Sequence, residues 1–145
     1  MRSSVNRLAA AAAAAAALAA AAVPAGTPAS GSPLVFGRAG GNIRPYTVTI
    51  AADGRVSASG AARLTVPGYA LSPVALRGLR KLATAEGFFT MPRTIRCPRV
   101  LPDIASLFVT FRSSAGTRTV SETGSCTPGF EELYAVLLAA SGVSA

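Results

Sequence analysis

The sequence predicts an α+β fold: a small antiparallel β-meander, a helix, a β-hairpin and a C-terminal helix, closed by one disulfide. Three observations carry this reading. Short runs of alternating apolar and polar residues are separated by Asp-Gly, Pro-Gly and Ser-rich turns. Two Ser/Thr-Pro dipeptides each precede a stretch whose leucines recur at helical spacing. Two cysteines, Cys97 and Cys126, lie outside the two ends of the expected hairpin, where antiparallel strands bring chain ends together.

Each element follows from local chemistry. Leu34-Val35-Phe36 is short and apolar and reads as a first, edge strand; Arg38-Ala39-Gly40-Gly41 then turns the chain. From Pro45 to Ile50 the residues alternate, with Tyr46, Val48 and Ile50 on the buried side and Thr47 and Thr49 opposite. Asp53-Gly54 supplies the positive φ of a tight hairpin, Val56 and Ala58 continue back, and Gly60 ends that strand. Leu64 and Val66 suggest a third meander strand, stopped by Pro67-Gly68. Ser72 is placed as N-cap and Pro73 as the first residue of a helix whose Leu76, Leu79, Leu82 and Ala83 face the sheet. Gly87 is its C-terminal cap, after which Phe88 and Phe89 turn toward the core. Leu107, Val109 and Phe111 share one face of the next strand, Ser113 to Gly116 turn it, and Thr117 to Glu122 return with Val120 inward. Thr127-Pro128 repeats the capping device for a last helix with Phe130, Leu133, Leu137 and Leu138 on its apolar side. Glu131 and Glu132 sit in its first turn, where carboxylates favour the positive end of the helix dipole.

Ahead of this domain (34–142), Arg2 and Arg7 precede an apolar, alanine-rich run from Leu8 to Val23 and small residues at Val23-Pro24-Ala25 or Thr27-Pro28-Ala29. These are the three parts of a Sec signal peptide, residues 1–25 with cleavage as late as 29, followed by a disordered leader, 26–33. The run is shorter than the ~20 residues a spanning helix needs, so no membrane insertion is expected after cleavage. Its loss removes two of 14 basic residues against 6 acidic ones, leaving a charge of +6 on the mature chain. The expected location is extracellular. A basic exported protein is drawn to an anionic cell-wall polymer; nucleic acid is not expected as a partner.

An even pair of cysteines in an exported chain predicts a disulfide, Cys97 to Cys126. The chain has no histidine, which excludes the ordinary Ser-His-Asp and Cys-His triads and any His-containing zinc site. No Gly-rich phosphate loop, CxxC or calcium loop is present. No catalytic residue, metal or cofactor is expected, and the protein reads as non-catalytic. What remains is the segment from Thr90 to Asp103. Pro92, Pro98 and Pro102 stiffen it, and Arg93, Arg96 and Arg99 recur every third residue, a spacing that in polyproline II geometry aligns them along one edge. Residues Arg93, Arg96, Cys97, Pro98, Arg99 and Val100 form the candidate contact loop, against the plainer reading of a connection that only connects. Arg77, Arg80 and Lys81, at helical spacing, form a candidate basic patch or simply the solvated face of the first helix.

Two resemblances bear on function, both to protease inhibitors. Arg38-Ala39-Gly40-Gly41, Leu71-Ser72-Pro73, Gly87-Phe88-Phe89 with Met91-Pro92, Asp103 before a strand and Pro128 before the last helix resemble the emfourin family, small bacterial inhibitors of thermolysin-like metalloproteases. Secreted actinobacterial domains without an assigned role show the same pattern. The cysteine pair and the Asp53-Gly54 turn depart from the cytoplasmic inhibitors. Locally, Cys97-Pro98-Arg99-Val100 ahead of a hairpin and Cys126 is similar to the reactive loop of the Streptomyces subtilisin-inhibitor family, although that family's second disulfide is absent. That likeness implies Arg99 in a protease specificity pocket, Val100 after the scissile bond, and a trypsin-like target. The expected function is thus a secreted protease inhibitor or inhibitor-like binding protein, with a basic envelope-associated structural protein as the alternative.

Overall fold

A computed structural model describes residues 33–145; the expected signal peptide and all of the leader but Pro33 lie outside the described residues. The elements are β1 (Leu34–Ala39), β2 (Tyr46–Ile50), β3 (Val56–Gly60), β4 (Arg63–Leu64), α1 (Pro73–Ala85), β5 (Thr94–Arg96), β6 (Ser106–Ser113), β7 (Gly116–Thr123), α2 (Pro128–Ala140) and β8 (Val143–Ser144). Six strands form one sheet in the order β3-β2-β1-β6-β7-β5, and β4 and β8 form a separate antiparallel pair. The α+β class holds, with the meander, helix, hairpin and C-terminal helix in the expected order.

Three local expectations change. β1 is an interior strand, not an edge: it pairs antiparallel with β2 on one side and β6 on the other. Its apolar residues flank a glycine, Gly37, at which a Cβ would stand 2.1 Å from the Tyr46 carbonyl, so the strand reads short in sequence although it pairs on both sides. The expected third meander strand is only Arg63–Leu64 and leaves the sheet to meet β8, with the Thr65 N–H donating to the Gly142 carbonyl at 2.9 Å. Thr94–Arg96, within the segment read as a free loop, joins the sheet edge parallel to β7.

The core is built on one face of the sheet. Register places Ala58, Val48, Phe36, Val109 and Val120 in a single row across five strands, and the four largest of these are fully buried. α1 covers that face with Leu79 and Ala83, and α2 with Phe130, Leu133, Tyr134 and Leu137. Ser72 caps α1 as expected, accepting from the Ala75 N–H at 3.2 Å. Its other end closes as a Schellman motif: Gly87, at φ +71, and Phe88 donate to the carbonyls of Thr84 and Ala83. Phe88 is buried, whereas Phe89 stays 39% exposed and packs its ring against Phe88 and Phe111. Thr127 does not repeat the Ser72 device; its backbone carbonyl, not its side chain, accepts from Phe130 and Glu131. Only Glu131 of the glutamate pair lies in the first turn of α2.

One polar contact crosses the interior. The hydroxyls of Tyr46 on β2 and Tyr134 on α2 are 2.6 Å apart and buried. Burial pushes the Tyr134 hydroxyl well above the ordinary tyrosine range, the Tyr46 hydrogen bond pushes it further, and nearby Arg38 opposes both. A raised acid keeps its proton in the fold but loses it in the unfolded chain above its ordinary value of about 10, so stability falls as pH rises beyond that point. Tyrosinate absorbance during alkaline titration should therefore show Tyr134 silent until the fold opens. Tyr134→Phe should remove this term and cost about 1–3 kcal/mol at neutral pH, because Tyr46 is left without its buried partner.

Candidate functional site

The sheet edge at β5 positions the candidate loop. Ile95 and Arg96 register with Glu122 and Thr123 of β7. The Ser121 N–H donates to the Arg93 carbonyl at 2.9 Å and the Cys97 N–H to the Thr123 carbonyl at 3.0 Å. Cys97 is then joined to Cys126 in a disulfide, with Cα atoms 5.7 Å apart. The expected pairing is present, and the structure gives it a more specific place. It ties the exit of β5 to the turn between β7 and α2. By loop-closure entropy a bridge of this span stabilises the fold by roughly 3.5 kcal/mol.

Beyond Cys97 the chain makes two successive tight turns, at Pro98-Arg99 and Pro102-Asp103. Each proline stands where its fixed φ suits the first central position, and the second central residue takes a positive φ, +63° at Arg99 and +68° at Asp103. These are the non-glycine residues in the left-handed region among the described residues; each such placement costs roughly 1–2 kcal/mol. The second turn is held from outside, the Asn42 N–H donating to the Asp103 carbonyl at 3.0 Å. The polyproline II expectation therefore fails. Backbone hydrogen bonds to β7 recruit Thr94–Arg96 as a strand, and turn geometry takes the rest. Arg99 sits in a turn and not in an extended, substrate-like segment.

The residues of the loop sort by exposure. Arg93, Arg96, Pro98 and Arg99 are exposed, Val100 is half-buried and Cys97 is buried. Leu101, between the two turns, is 76% exposed, the most exposed large apolar residue among those described, and Ile104 and Ile43 stand open nearby on the two segments that Asn42 and Asp103 join. The loop borders a groove of about 640 Å³ lined by Arg96, Cys97, Arg99, Leu101, Pro102 and Thr123, among others. Gly124, at φ +98, lets the loop settle on the bridge: a Cβ there would meet Cys97 Cβ at 2.7 Å and Val100 Cγ2 at 2.9 Å.

The basic patch lies elsewhere. Arg77, Arg80 and Lys81 are exposed on α1, and Arg77 and Arg80 border a cleft of about 290 Å³ floored by Leu34, Ile50, Leu76 and Phe111. Among the described residues the one ion pair is Arg55 with Asp53, at 3.3 Å and largely exposed, so no other cation among them is paired with a carboxylate. Sequence reasoning missed two residues at the loop. Leu101 carried no signal beyond being apolar between prolines. Glu122, wholly buried behind the disulfide, follows the same period of two that placed Val120 inward.

Compared with known proteins, the chain matches no family model, and no curated protein or solved structure is significantly similar to it. Among the described residues no helix is long and apolar enough to cross a membrane.

The left-handed placement of Arg99 makes a direct test of the loop's geometry. Arg99→Gly should be neutral or mildly stabilising, since relief of strain offsets the ~0.5–1 kcal/mol of added chain entropy. Arg99→Val, β-branched, should destabilise by about 1–2 kcal/mol or more. Denaturant midpoints at unchanged slope read both effects.

Proposed function

We propose that this protein is a secreted, non-catalytic binding protein of the protease-inhibitor kind, and that the double turn from Cys97 to Ile104 is its contact surface. One observation carries the reading: an exposed leucine and an exposed arginine are presented by a loop fixed by a disulfide, two prolines and a backbone bond to Asn42. A segment ordered before contact loses little entropy on docking, and a protruding apolar side chain with Arg99 on one side and Asp103 on the other fits an apolar pocket whose rim offers an acid to the arginine. The loop's conformation favours Leu101 over Arg99 as the residue that enters such a pocket. Export, proposed from the first 25 residues, places the protein where a secreted protease is met. Both inhibitor resemblances point the same way, and they rest on residues alone.

A second reading has its own support. The described residues carry 12 cations and 6 acids with a single ion pair between them. That leaves charge free to hold an anionic wall polymer, and Arg77, Arg80 and Lys81 would be its first contacts.

One experiment separates the two. Mature protein is titrated against trypsin-like, subtilisin-like and thermolysin-like proteases, and passed in parallel over anionic wall polymer at rising salt. The inhibitor reading expects stoichiometric loss of one protease activity, abolished by Leu101→Asp and weakened by Arg99→Glu. Inhibition untouched by Leu101→Asp would move the surface elsewhere. No inhibition anywhere, with polymer retention that falls steeply as salt shortens the screening length, would replace this reading by the second.

A further inference from the structure

Behind the loop sits a group that neither the fold nor the contact surface explains. Glu122 lies on the inner face of β7 and is 0% exposed. Its Oε1 accepts one hydrogen bond, from the Cys126 N–H at 3.3 Å. The same oxygen is 3.5 Å from Cys97 Sγ and 3.6 Å from Cys126 Sγ, but sulfurs joined to each other carry no hydrogen to donate. Oε2 has no hydrogen-bond partner. The charged residue nearest in register on that face, Arg38, is two strands away across Leu107; its guanidinium donates to the Arg44 carbonyl and lies over the Tyr46 ring, and it forms no ion pair with Glu122. A buried oxygen left unsatisfied calls for a specific cause, a redox role or an ion among them.

We propose that Cys97, Cys126 and Glu122 form a three-ligand site for a thiophilic divalent cation of the zinc class, occupied when the disulfide is open. One ligand atom from each residue lies within 4.8 Å of the other two. A dithiol reductant supplies the opening: two electrons break the S–S bond, each sulfur gains a proton, and the reductant leaves as its own disulfide. The cation then displaces both thiol protons to solvent and binds two thiolates and the Glu122 carboxylate, with the fourth tetrahedral position free for water. Two thiolates beside a carboxylate repel one another, so a cation is what lets all three be ionised together. Two soft sulfurs with one oxygen suit zinc and not magnesium or calcium. Entry is open on both sides, since Cys126 is exposed and Cys97 borders the groove. The ion would join the same two residues that the bridge joins, so the loop is braced in either oxidation state. This inference does not depend on what the loop binds.

The test uses the mature protein reduced with a phosphine under anaerobic conditions and titrated with Co²⁺. The site predicts a near-ultraviolet thiolate-to-cobalt band and visible bands of tetrahedral cobalt, saturating at one equivalent and erased by Zn²⁺. The oxidised protein should show neither. Glu122→Gln should weaken binding at least as much as the roughly 10–100-fold that loss of a supporting contact costs a metal site. Cobalt bands absent from reduced, folded protein would overturn the proposal, as would unchanged affinity in Glu122→Gln, which would mean simple dithiol chelation. Should reduction unfold the chain, one equivalent of Zn²⁺ is expected to restore its near-ultraviolet circular dichroism in the wild type and not in Glu122→Gln; no recovery overturns it equally.

Discussion

A strand of three residues cannot hold the edge of a sheet by its backbone alone. β5 has only that length, and it pairs parallel to β7, the slightly weaker of the two ladder types per residue. It keeps its place because the residue that follows, Cys97, is covalently fixed to Cys126. The distinctive parts of this edge lie around that bond: the two turns, the exposed Leu101, and the buried Glu122 behind them. The rest of the sheet stands apart from it. β1, β2, β6 and β7 are joined by long antiparallel ladders and share a core of Phe36, Val48, Val109 and Val120.

The molecule thus divides into a self-sufficient body and a braced edge. Among the described residues left-handed non-glycine backbone is confined to the edge, where Arg99 and Asp103 hold a conformation that glycine would take more easily. Nothing in the packing of the body requires such residues there. Strained backbone persists only where its surroundings fix it, and here the fixing parts are the disulfide, the prolines and Asn42. The same bond serves two readings of the protein. For a binding loop it removes conformational freedom before contact. For Glu122 it takes away the thiol hydrogens that Oε1 would otherwise accept, while Oε2 has no hydrogen-bond partner.

Much of the fold was legible because local rules and global packing agree. Alternation placed β2 and β3, the serine cap and Gly87 bounded α1, and the spacing of Val109, Phe111 and Val120 gave the inner face of the hairpin. The failures have physical causes. The interior position of β1 depends on Gly37, whose close approach to Tyr46 is invisible until strands are paired. Leu64 and Val66 alternate as a strand should, but tertiary contact with β8 claims only the first of them. β5 was hidden because its prolines argue against pairing, and they stand just outside the three residues that pair. The disulfide was readable from two cysteines in a chain expected to be exported; its neighbour Glu122 was overlooked, because a strand-end glutamate reads as solvent-facing even where the period of two sets it on the face of Val120. The arginine triplet was legible as a motif and misread as geometry, since three-residue spacing does not survive conversion into a strand and two turns.

Whether the bridge, and not the surrounding sheet, fixes the loop is measured residue by residue by backbone hydrogen exchange in the oxidised protein and in Cys97→Ala/Cys126→Ala. The amides of Asn42, residue 97 and Ser121 donate to Asp103, Thr123 and Arg93, and each reports one attachment of the edge. With the bridge removed, protection at these three should collapse while the amides of β1 and β6 keep theirs. Retained protection at all three would show that the edge holds itself, and the braced loop at the centre of this reading would have no cause.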